Sequence, residues 1–164
     1  MTHTVFIALG ANLGDRLANL NAAVEAMPPS LRPVAASPVY ETQPWGYSDQ
    51  PVFLNQVVQA ETGLDPFELL AFLKGLENRL GRQAAFRYGP RSIDLDILFY
   101  DDLILETRGL VIPHPHLAER AFVLVPLADL APNLHHPVLG LRVRELLDKV
   151  DRQGVRVFSG EGTT

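Results

Sequence analysis

Apolar residues recur with a strand-like pattern in four parts of the chain. Runs rich in β-branched and apolar side chains predict strands over residues 4–9, 34–41 and 53–61. Residues 93–99 alternate Ile, Leu, Ile and Phe with Asp94, Asp96 and Leu98, the period of two that indicates a fourth strand. Shorter strands are expected over residues 103–105, 110–112 and 155–158.

Helical spacing of apolar residues separates these strands. Asp15 is a good N-cap for a helix that ends at Pro28-Pro29, and Asp65-Pro66-Phe67-Glu68 begins a longer helix that runs to Gly81. Further helical segments are expected over residues 116–120, 123–130 and 143–150. Strands and helices mix without strict alternation, which favours an α+β sheet with helices packed against it. We expect one domain over residues 1–164, with residues 159–164 as a frayed tail.

The fourth strand carries two carboxylates on one face. Side chains two residues apart in a strand point the same way, so Asp94 and Asp96 lie roughly 6.5–7 Å apart at the backbone. Aspartate is a poor strand former and like charges repel, but a divalent cation such as Mg²⁺ would relieve the repulsion. Gly89-Pro90-Arg91 adds a turn and a cation beside the pair. The alternative is a solvated strand face with a surface ion pair.

Arginines lie on both sides of the acidic strand. Arg82, Arg87 and Arg91 precede it and Arg120 follows it. Arginine suits bidentate phosphate binding, so acids for Mg²⁺ beside arginines for phosphate favour a nucleotide triphosphate site. The alternative is that each arginine is only a surface charge.

Composition narrows the class of protein. The 164 residues are 47% hydrophobic and 20% charged, as in an ordinary globular domain. The net charge of −5 argues against a general nucleic-acid binder. The chain has no cysteine, which excludes disulfides, thiolate nucleophiles and Cys-ligated metals. It shows neither a signal peptide nor an apolar run long enough to span a membrane, so a cytoplasmic protein without a membrane partner is expected.

Three further motifs have weaker meanings. Gly10-Ala-Asn-Leu-Gly14 lacks the Gly-Lys-Ser/Thr ending of a Walker loop and is interpreted as a tight strand-to-helix turn. Pro113-His114-Pro115-His116 and His135-His136 lack a third ligand at a spacing typical of zinc sites. His114 is more plausible as a hydrogen-bond donor to phosphate.

Several side chains suit a flat heterocycle. Trp45, Tyr88 and Phe122 could stack on such a ring, and the Asn55 amide could bind its edge. Each aromatic residue could instead belong to the core.

With these motifs in place, the sequence resembles the 6-hydroxymethyl-7,8-dihydropterin pyrophosphokinase family of folate synthesis. The matching segments follow the family's order along nearly the whole chain, and the Gly-Pro-Arg-x-x-Asp-Leu-Asp block is highly specific. The segments are Ala8-Leu-Gly-Ala-Asn-Leu-Gly-Asp15, Ser37-Pro-Val-Tyr-Glu-Thr-Gln-Pro-Trp-Gly46, Phe53-Leu-Asn55, Glu77-Asn-Arg-Leu-Gly-Arg82, Tyr88-Gly-Pro-Arg-Ser-Ile-Asp-Leu-Asp-Ile97 and Ile112-Pro-His-Pro-His116, running on to Arg120-Ala-Phe122.

The resemblance implies a ferredoxin-like core in a three-layer α-β-α sandwich with a mainly antiparallel sheet, and ATP and pterin bound side by side. It implies two Mg²⁺ ions held by Asp94 and Asp96, and catalytic roles for these two acids with Arg82 and Arg91. The implied ATP-binding residues are Lys74, Arg87, Arg91, Ile97, His114 and Arg120. The implied pterin-binding residues are Thr42, Pro44, Trp45, Phe53, Asn55, Tyr88 and Phe122.

The resemblance also implies the reaction. The pterin hydroxymethyl oxygen would attack the β-phosphorus of ATP, and a pyrophosphate group would be transferred with AMP as the second product. Catalysis would rest on positioning and charge neutralisation, in a protein expected to be monomeric. Two alternatives are a non-catalytic ligand-binding module on the same scaffold and a nucleotidyl transferase, which attacks the α-phosphorus.

Overall fold

A computed structural model describes residues 2–11, 14–42, 53–81 and 93–158. The main sheet is built from strands β1 to β5 and β8, and β6 and β7 form a separate hairpin. The strands are β1 His3–Ala11, β2 Leu31–Ala36, β3 Tyr40–Thr42, β4 Phe53–Thr62, β5 Asp94–Tyr100, β6 Leu105–Glu106, β7 Val111–Ile112 and β8 Val155–Val157. The helices are α1 Arg16–Glu25, α2 Pro66–Gly81, α3 Ala121–Leu130 and α4 Val143–Leu147, with a 3₁₀ turn over Leu117–Glu119.

The strand order of the main sheet is β5-β1-β4-β3-β8, and β2 also pairs with β4. Every described pairing is antiparallel. Because β2 and β3 together occupy one strand position, the chain order β1-α1-β2/β3-β4-α2-β5 has the β-α-β-β-α-β arrangement of ferredoxin-like folds. The predicted α+β class is confirmed.

Apolar cores lie on both faces of the sheet. The first core packs α1 and α2 against one face, with Leu20, Leu69 and Leu73 fully buried. The second core packs α3 and α4 against the other face, through residues such as Leu124, Leu127 and Val143. The molecule therefore has the three layers expected of an α-β-α sandwich.

Local signals at two helix starts behave as predicted. The Asp15 carboxylate accepts a hydrogen bond from the Ala18 backbone N–H at 3.1 Å. Before α2, Asp65 and Glu68 form a reciprocal capping box, in which each backbone N–H donates to the other's carboxylate at 2.8 Å. These bonds satisfy amide groups that have no partner within the first helical turn.

The prediction of one continuous strand over residues 34–41 is wrong only at residues 37–39, where the structure divides it into β2 and β3. Pro38 has no N–H for the ladder, and the Ser37 hydroxyl instead accepts from the Val57 N–H at 3.0 Å. Ala36 pairs with Val58 but Tyr40 pairs with Asn55, so the register shifts by one residue across the break. Residues opposite each other in an antiparallel pair share a face, so this shift turns Tyr40 and Thr42 toward the second core.

The regular alternation predicted for residues 93–99 also fails at its end. The register between β1 and β5 shifts between Phe6 and Ile7, and Leu98 is the extra residue. Ile97 therefore packs in the first core, whereas Leu98 and Phe99 both pack in the second. A bulge of this kind depends on the partner strand and leaves no mark in the local pattern.

Other boundaries differ from the sequence predictions. β1 continues through Gly10 to Ala11, so the predicted turn begins later than expected. The last helix ends at Leu147 rather than Val150, and β6 and β7 are only two residues long each. The predicted edge strand near the C-terminus is confirmed as β8, which pairs with β3. The predicted frayed tail lies outside the described residues.

Candidate active site

A cavity of about 530 Å³ lies over the face of the sheet that carries the second core. Its floor is a row of side-chain positions that crosses the sheet, because Gly10 pairs with Asp94 on one side and with Asn55 on the other. The lining residues are Ala8, Leu9, Gly10, Thr42, Phe53, Asn55, Gln56, Val57, Asp94, Asp96, Leu98, His114, Arg120, Phe122 and Val123. The cavity thus joins the predicted metal ligands to part of the predicted ring-binding set.

Small residues on β1 leave space above the sheet at the floor of the cavity. Ala8 lies opposite Asp96 and Val57, and Gly10 lies between Asp94 and Asn55. A Cβ atom at Gly10 would stand only 3.2 Å from Nδ2 of Asn55. The missing side chain therefore leaves room for the Asn55 amide, a role that the sequence interpretation of Gly10 as a turn residue missed.

The two strand carboxylates border the cavity in different environments. Asp94 is exposed and Asp96 is partly buried. Burial is the main cause that raises the pKa of Asp96, and the negative charge of Asp94 raises it further. His114, Lys74 and Arg120 lower it. The ionised form of Asp96 is therefore costly beside Asp94, which is the situation that a bound cation relieves.

Helix α2 braces the acidic strand from the first core. Glu77 is 7% exposed, and its Oε2 accepts a hydrogen bond of 2.6 Å from the Leu95 N–H, the amide between the two acids. Lys74 Nζ donates to Glu77 Oε1 at 3.3 Å. Burial raises the pKa of Glu77, against the lowering effect of the Leu95 bond and of Lys74. The bond fixes the backbone that carries Asp94 and Asp96.

The geometry around His114 fixes one tautomer of its neutral ring. Nδ1 accepts a hydrogen bond from the His116 N–H at 3.1 Å, so the ring proton of the neutral form lies on Nε2. Burial lowers the pKa of His114, and the nearby charge of Arg120 lowers it further, while Asp96 raises it. His114 is thus placed to donate from Nε2 without needing to be charged.

Arg120 and Phe122 enter the cavity from the start of α3. The Arg120 guanidinium carbon lies 5.8 Å from the centre of the Phe122 ring, within the range of a cation–π contact. Arg120 is also close enough to lower the pKa of both Asp96 and His114. The arrangement sets a cation beside the acids and an aromatic face beside the cation.

The far side of the cavity is polar at its base and aromatic at its rim. Asn55 is 8% exposed, and its Oδ1 accepts a hydrogen bond of 3.1 Å from the Thr42 hydroxyl. Oδ1 is thus occupied, and the Nδ2 amino group, which is the donor end of the amide, lies beside Gly10. Phe53 is exposed at the rim. A buried, oriented amide below two aromatic side chains can bind the edge and face of a flat ring.

The remaining predicted site residues divide into two groups. Lys74 and Ile97 do not line this cavity, since Lys74 bonds Glu77 on α2 and the Ile97 side chain lies in the first core. Their predicted contacts with ATP stay predictions. The second group lies outside the described residues: Arg82, Arg87, Arg91, Pro44, Trp45 and Tyr88.

The carboxylates of Asp94 and Asp96 fit a hard cation that takes some of its ligands from the protein and the others from a substrate. Within the described ranges, no group of three or more His, Asp or Glu side chains is placed to hold a metal ion. Asp94 and Asp96 offer two oxygen ligands and leave further positions to phosphate oxygens and water, as Mg²⁺ sites for nucleotides commonly do. His135 and His136 bond different partners, Arg142 and the 138–139 turn, and form no metal site with each other.

The helices of the described chain are all too short or too polar to cross a membrane.

Comparison with known proteins gives a consistent family. The family model for 7,8-dihydro-6-hydroxymethylpterin-pyrophosphokinase matches residues 6–132. The chain is 46% identical over 152 residues to the 2-amino-4-hydroxy-6-hydroxymethyldihydropteridine pyrophosphokinase of Methylorubrum extorquens, covering 92% of this chain and 95% of that protein. It is 42% identical over 142 residues to the protein of the same name from Aquifex aeolicus, covering 87% and 89% respectively.

Some relatives are longer. The chain is 41% identical over 156 residues to the folic acid synthesis protein fol1 of Schizosaccharomyces pombe, and the match covers 94% of this chain but only 21% of that protein. Among solved structures, wild-type HPPK-DHPS of Plasmodium falciparum with pteroate has a TM-score of 0.76 at 17% identity, covering 91% of this chain and 44% of that one. At that identity the likeness shows the fold alone.

Proposed function

The chain belongs to the 7,8-dihydro-6-hydroxymethylpterin-pyrophosphokinase family, and from this premise we propose the function of the cavity. The protein is an ATP-dependent diphosphokinase that transfers pyrophosphate from ATP to the hydroxymethyl group of 6-hydroxymethyl-7,8-dihydropterin in folate biosynthesis. The products are AMP and the pterin diphosphate.

The row Asp94–Gly10–Asn55 supports this function best. It spans two strand spacings, so the acid and the amide stand about 10 Å apart across a floor without side-chain bulk. The pterin ring would bind at Asn55, between Phe53 and Phe122, and its hydroxymethyl group would extend over Gly10 toward the acids. The triphosphate would lie at Asp94, Asp96, His114 and Arg120.

The side chains then have separate tasks. Asn55 and the two aromatic residues orient the pterin so that its hydroxyl oxygen faces the β-phosphorus. Arg120 and the Nε2–H of His114 bind phosphate oxygens and stabilise the charge that develops on them. Asp94 and Asp96 would hold Mg²⁺, and we propose two ions. When bound there, Mg²⁺ would neutralise phosphate charge and acidify the attacking hydroxyl.

Product analysis tests the function. The protein with ATP, Mg²⁺ and 6-hydroxymethyl-7,8-dihydropterin should form AMP and pterin diphosphate in equal amounts, without free pyrophosphate. Free pyrophosphate with a nucleotide-linked product would indicate a nucleotidyl transferase instead. Binding of both ligands without turnover would favour the non-catalytic module.

Arg82, Arg87 and Arg91 would contact the phosphates, with Lys74 and Ile97 at the nucleotide. Pro44, Trp45 and Tyr88 would complete the pterin pocket. A monomeric state, a cytoplasmic location and the lack of a nucleic-acid or membrane partner remain predictions.

A further inference from the structure

Tyr40 and Asp129 form a hydrogen bond that joins the sheet to the helix above the cavity. Tyr40 lies on β3 and is 8% exposed, and its hydroxyl donates to Oδ2 of Asp129 near the end of α3. Burial raises the pKa of Tyr40 to about 12, and the bond to Asp129 and its negative charge act in the same direction. The hydroxyl therefore remains a donor at neutral pH.

On the sheet side, Tyr40 adjoins the residues of the ring-binding end. It lies directly opposite Asn55 in the pairing of β3 with β4, and Thr42 lies opposite Phe53. These four side chains form one patch on one face of the sheet, and the Thr42 hydroxyl bonds Asn55 diagonally within it. Tyr40 does not itself line the cavity, so any effect it has on a ligand passes through its neighbours.

On the helix side, Asp129 shares α3 with Phe122, an aromatic residue that lines the cavity. Phe122 and Asp129 are seven residues apart on α3, which places them on the same side of the helix. An acid in the last turn of a helix is unfavourable, because the helix dipole is negative there. Asp129 is exposed, which permits a polar side chain there, and the hydrogen bond from Tyr40 offsets the unfavourable position of its charge on the helix.

We propose that Tyr40 and Asp129 are positioning residues that set the spacing between Asn55 on the sheet and Phe122 on α3. The inference rests on the proposed function and deepens it, since the spacing governs how a pterin ring fits between the amide and the aromatic wall. Most of the nucleotide end lies on β5 and at His114, outside β3 and α3. Arg120 caps the start of α3, so a shift of this helix would move it as well, but the acids of β5 and His114 would keep their positions. Loss of the pair should consequently affect the two substrates unequally.

The test compares two Tyr→Phe variants that each remove one buried hydroxyl. Tyr40→Phe removes the bond to Asp129. Tyr100→Phe is the control. Tyr100 is the last residue of β5 and lies away from the cavity, and its hydroxyl donates to the Leu64 carbonyl oxygen at 2.6 Å. Calorimetry would measure binding of an unhydrolysable ATP analogue with Mg²⁺, and then binding of 6-hydroxymethyl-7,8-dihydropterin to the saturated complex.

Tyr40→Phe should raise the pterin dissociation constant about five-fold, the change expected when one hydrogen bond between the ring and a displaced Asn55 is impaired. The constant for the ATP analogue should stay within about two-fold, the error range of such comparisons. Tyr100→Phe should change neither dissociation constant, even if it lowers the melting temperature as much as Tyr40→Phe does. Equal changes for both ligands, or an unchanged pterin constant, would overturn the proposal.

A second variant shows whether the two residues act as one unit. Asp129→Ala should weaken pterin binding as Tyr40→Phe does, and the double variant should bind no more weakly than the weaker single variant. Additive losses would contradict the pairing. Wild-type protein that forms no AMP and pterin diphosphate would count against the proposed function, whereas wild-type activity with unaltered pterin binding in both variants would count against the pair alone.

Discussion

At the scale of single residues, the cavity depends as much on small side chains as on charged ones. The acids on β5 and the amide on β4 face each other only because Ala8 and Gly10 on β1 leave the space between them open. The acids were predictable, since two aspartates in a strand are locally unfavourable. The role of Gly10 was not, because its closeness to Asn55 follows from the pairing of strands about 45 residues apart in the chain.

Gly10→Ala should weaken pterin binding without loosening the fold. The new Cβ would stand 3.2 Å from Nδ2 of Asn55, and the amide would have to move by a few tenths of an ångström. We expect the pterin dissociation constant to rise about five-fold, the value of one impaired hydrogen bond, while ATP-analogue binding stays unchanged.

Gly75→Ala is the matched control for this substitution. Gly75 lies inside α2, and nothing stands within 4 Å of the position that an alanine methyl group would take there. Alanine is the better helix former, so stability should rise by about 0.5–1 kcal/mol with both dissociation constants unchanged. Equal loss of pterin binding in the two variants would contradict the role assigned to Gly10.

Asp96→Asn should separate catalysis from stability. The raised pKa of Asp96 means that its ionised form opposes folding at neutral pH, so the neutral amide should leave the melting temperature unchanged or higher. Turnover at saturating Mg²⁺ should fall at least about a hundred-fold, the usual loss when a charge-stabilising group is removed.

The stability difference has a pH signature. A group with a raised folded-state pKa contributes stability below its unfolded value and loses it as the pH rises through the folded value. The advantage of Asp96→Asn should therefore vanish as the pH falls below the ordinary aspartate value of 3.8. Asp102→Asn, at an exposed carboxylate beyond β5, is the control and should retain full activity. Near wild-type turnover of Asp96→Asn would contradict the metal-binding role.

At the scale of secondary structure elements, the sequence predicted the helices, the strand positions and the acidic strand, because caps and apolar periods are local signals. It missed the break between β2 and β3 and the bulge at Leu98. Both are one-residue register shifts, and a register is decided jointly by two strands and the core between them. The missed features matter for the site, since the shift before Tyr40 turns Tyr40 and Thr42 toward the cavity side.

The hydrogen bond between Tyr40 on β3 and Asp129 on α3 should make the stability of the fold fall at alkaline pH, as Tyr40 ionises. Tyr40 has a folded-state pKa of about 12, against its ordinary value of 10.0. The stability it contributes is complete below pH 10, falls as the unfolded chain ionises first, and is lost by about pH 12. Urea unfolding at a series of pH values should therefore show wild type and Tyr40→Phe converging in stability above pH 10. A constant difference up to pH 12 would show that the hydroxyl ionises in the fold as it does in water.

At the scale of the whole molecule, one sheet separates two apolar cores, and the cavity lies over one of them. The first core under α1 and α2 holds the back of the acidic strand through Glu77, and the second core positions α3 and its cavity residues. Since both cores pack against the same strands, neither layer has a sheet of its own. The expectation of a single domain follows from this sharing, and it has a direct test.

Leu73→Ala and Leu127→Ala empty matched sites in the two cores. Both leucines are fully buried, Leu73 on α2 in the first core and Leu127 on α3 in the second. Each substitution should lower the free energy of unfolding by about 2–5 kcal/mol through lost burial and a residual cavity. If the shared sheet couples the cores, each variant should still unfold in one transition, with circular dichroism and tyrosine absorbance changing together. Two separated transitions in either variant would show that the layers unfold independently, and the single-domain expectation would then be wrong.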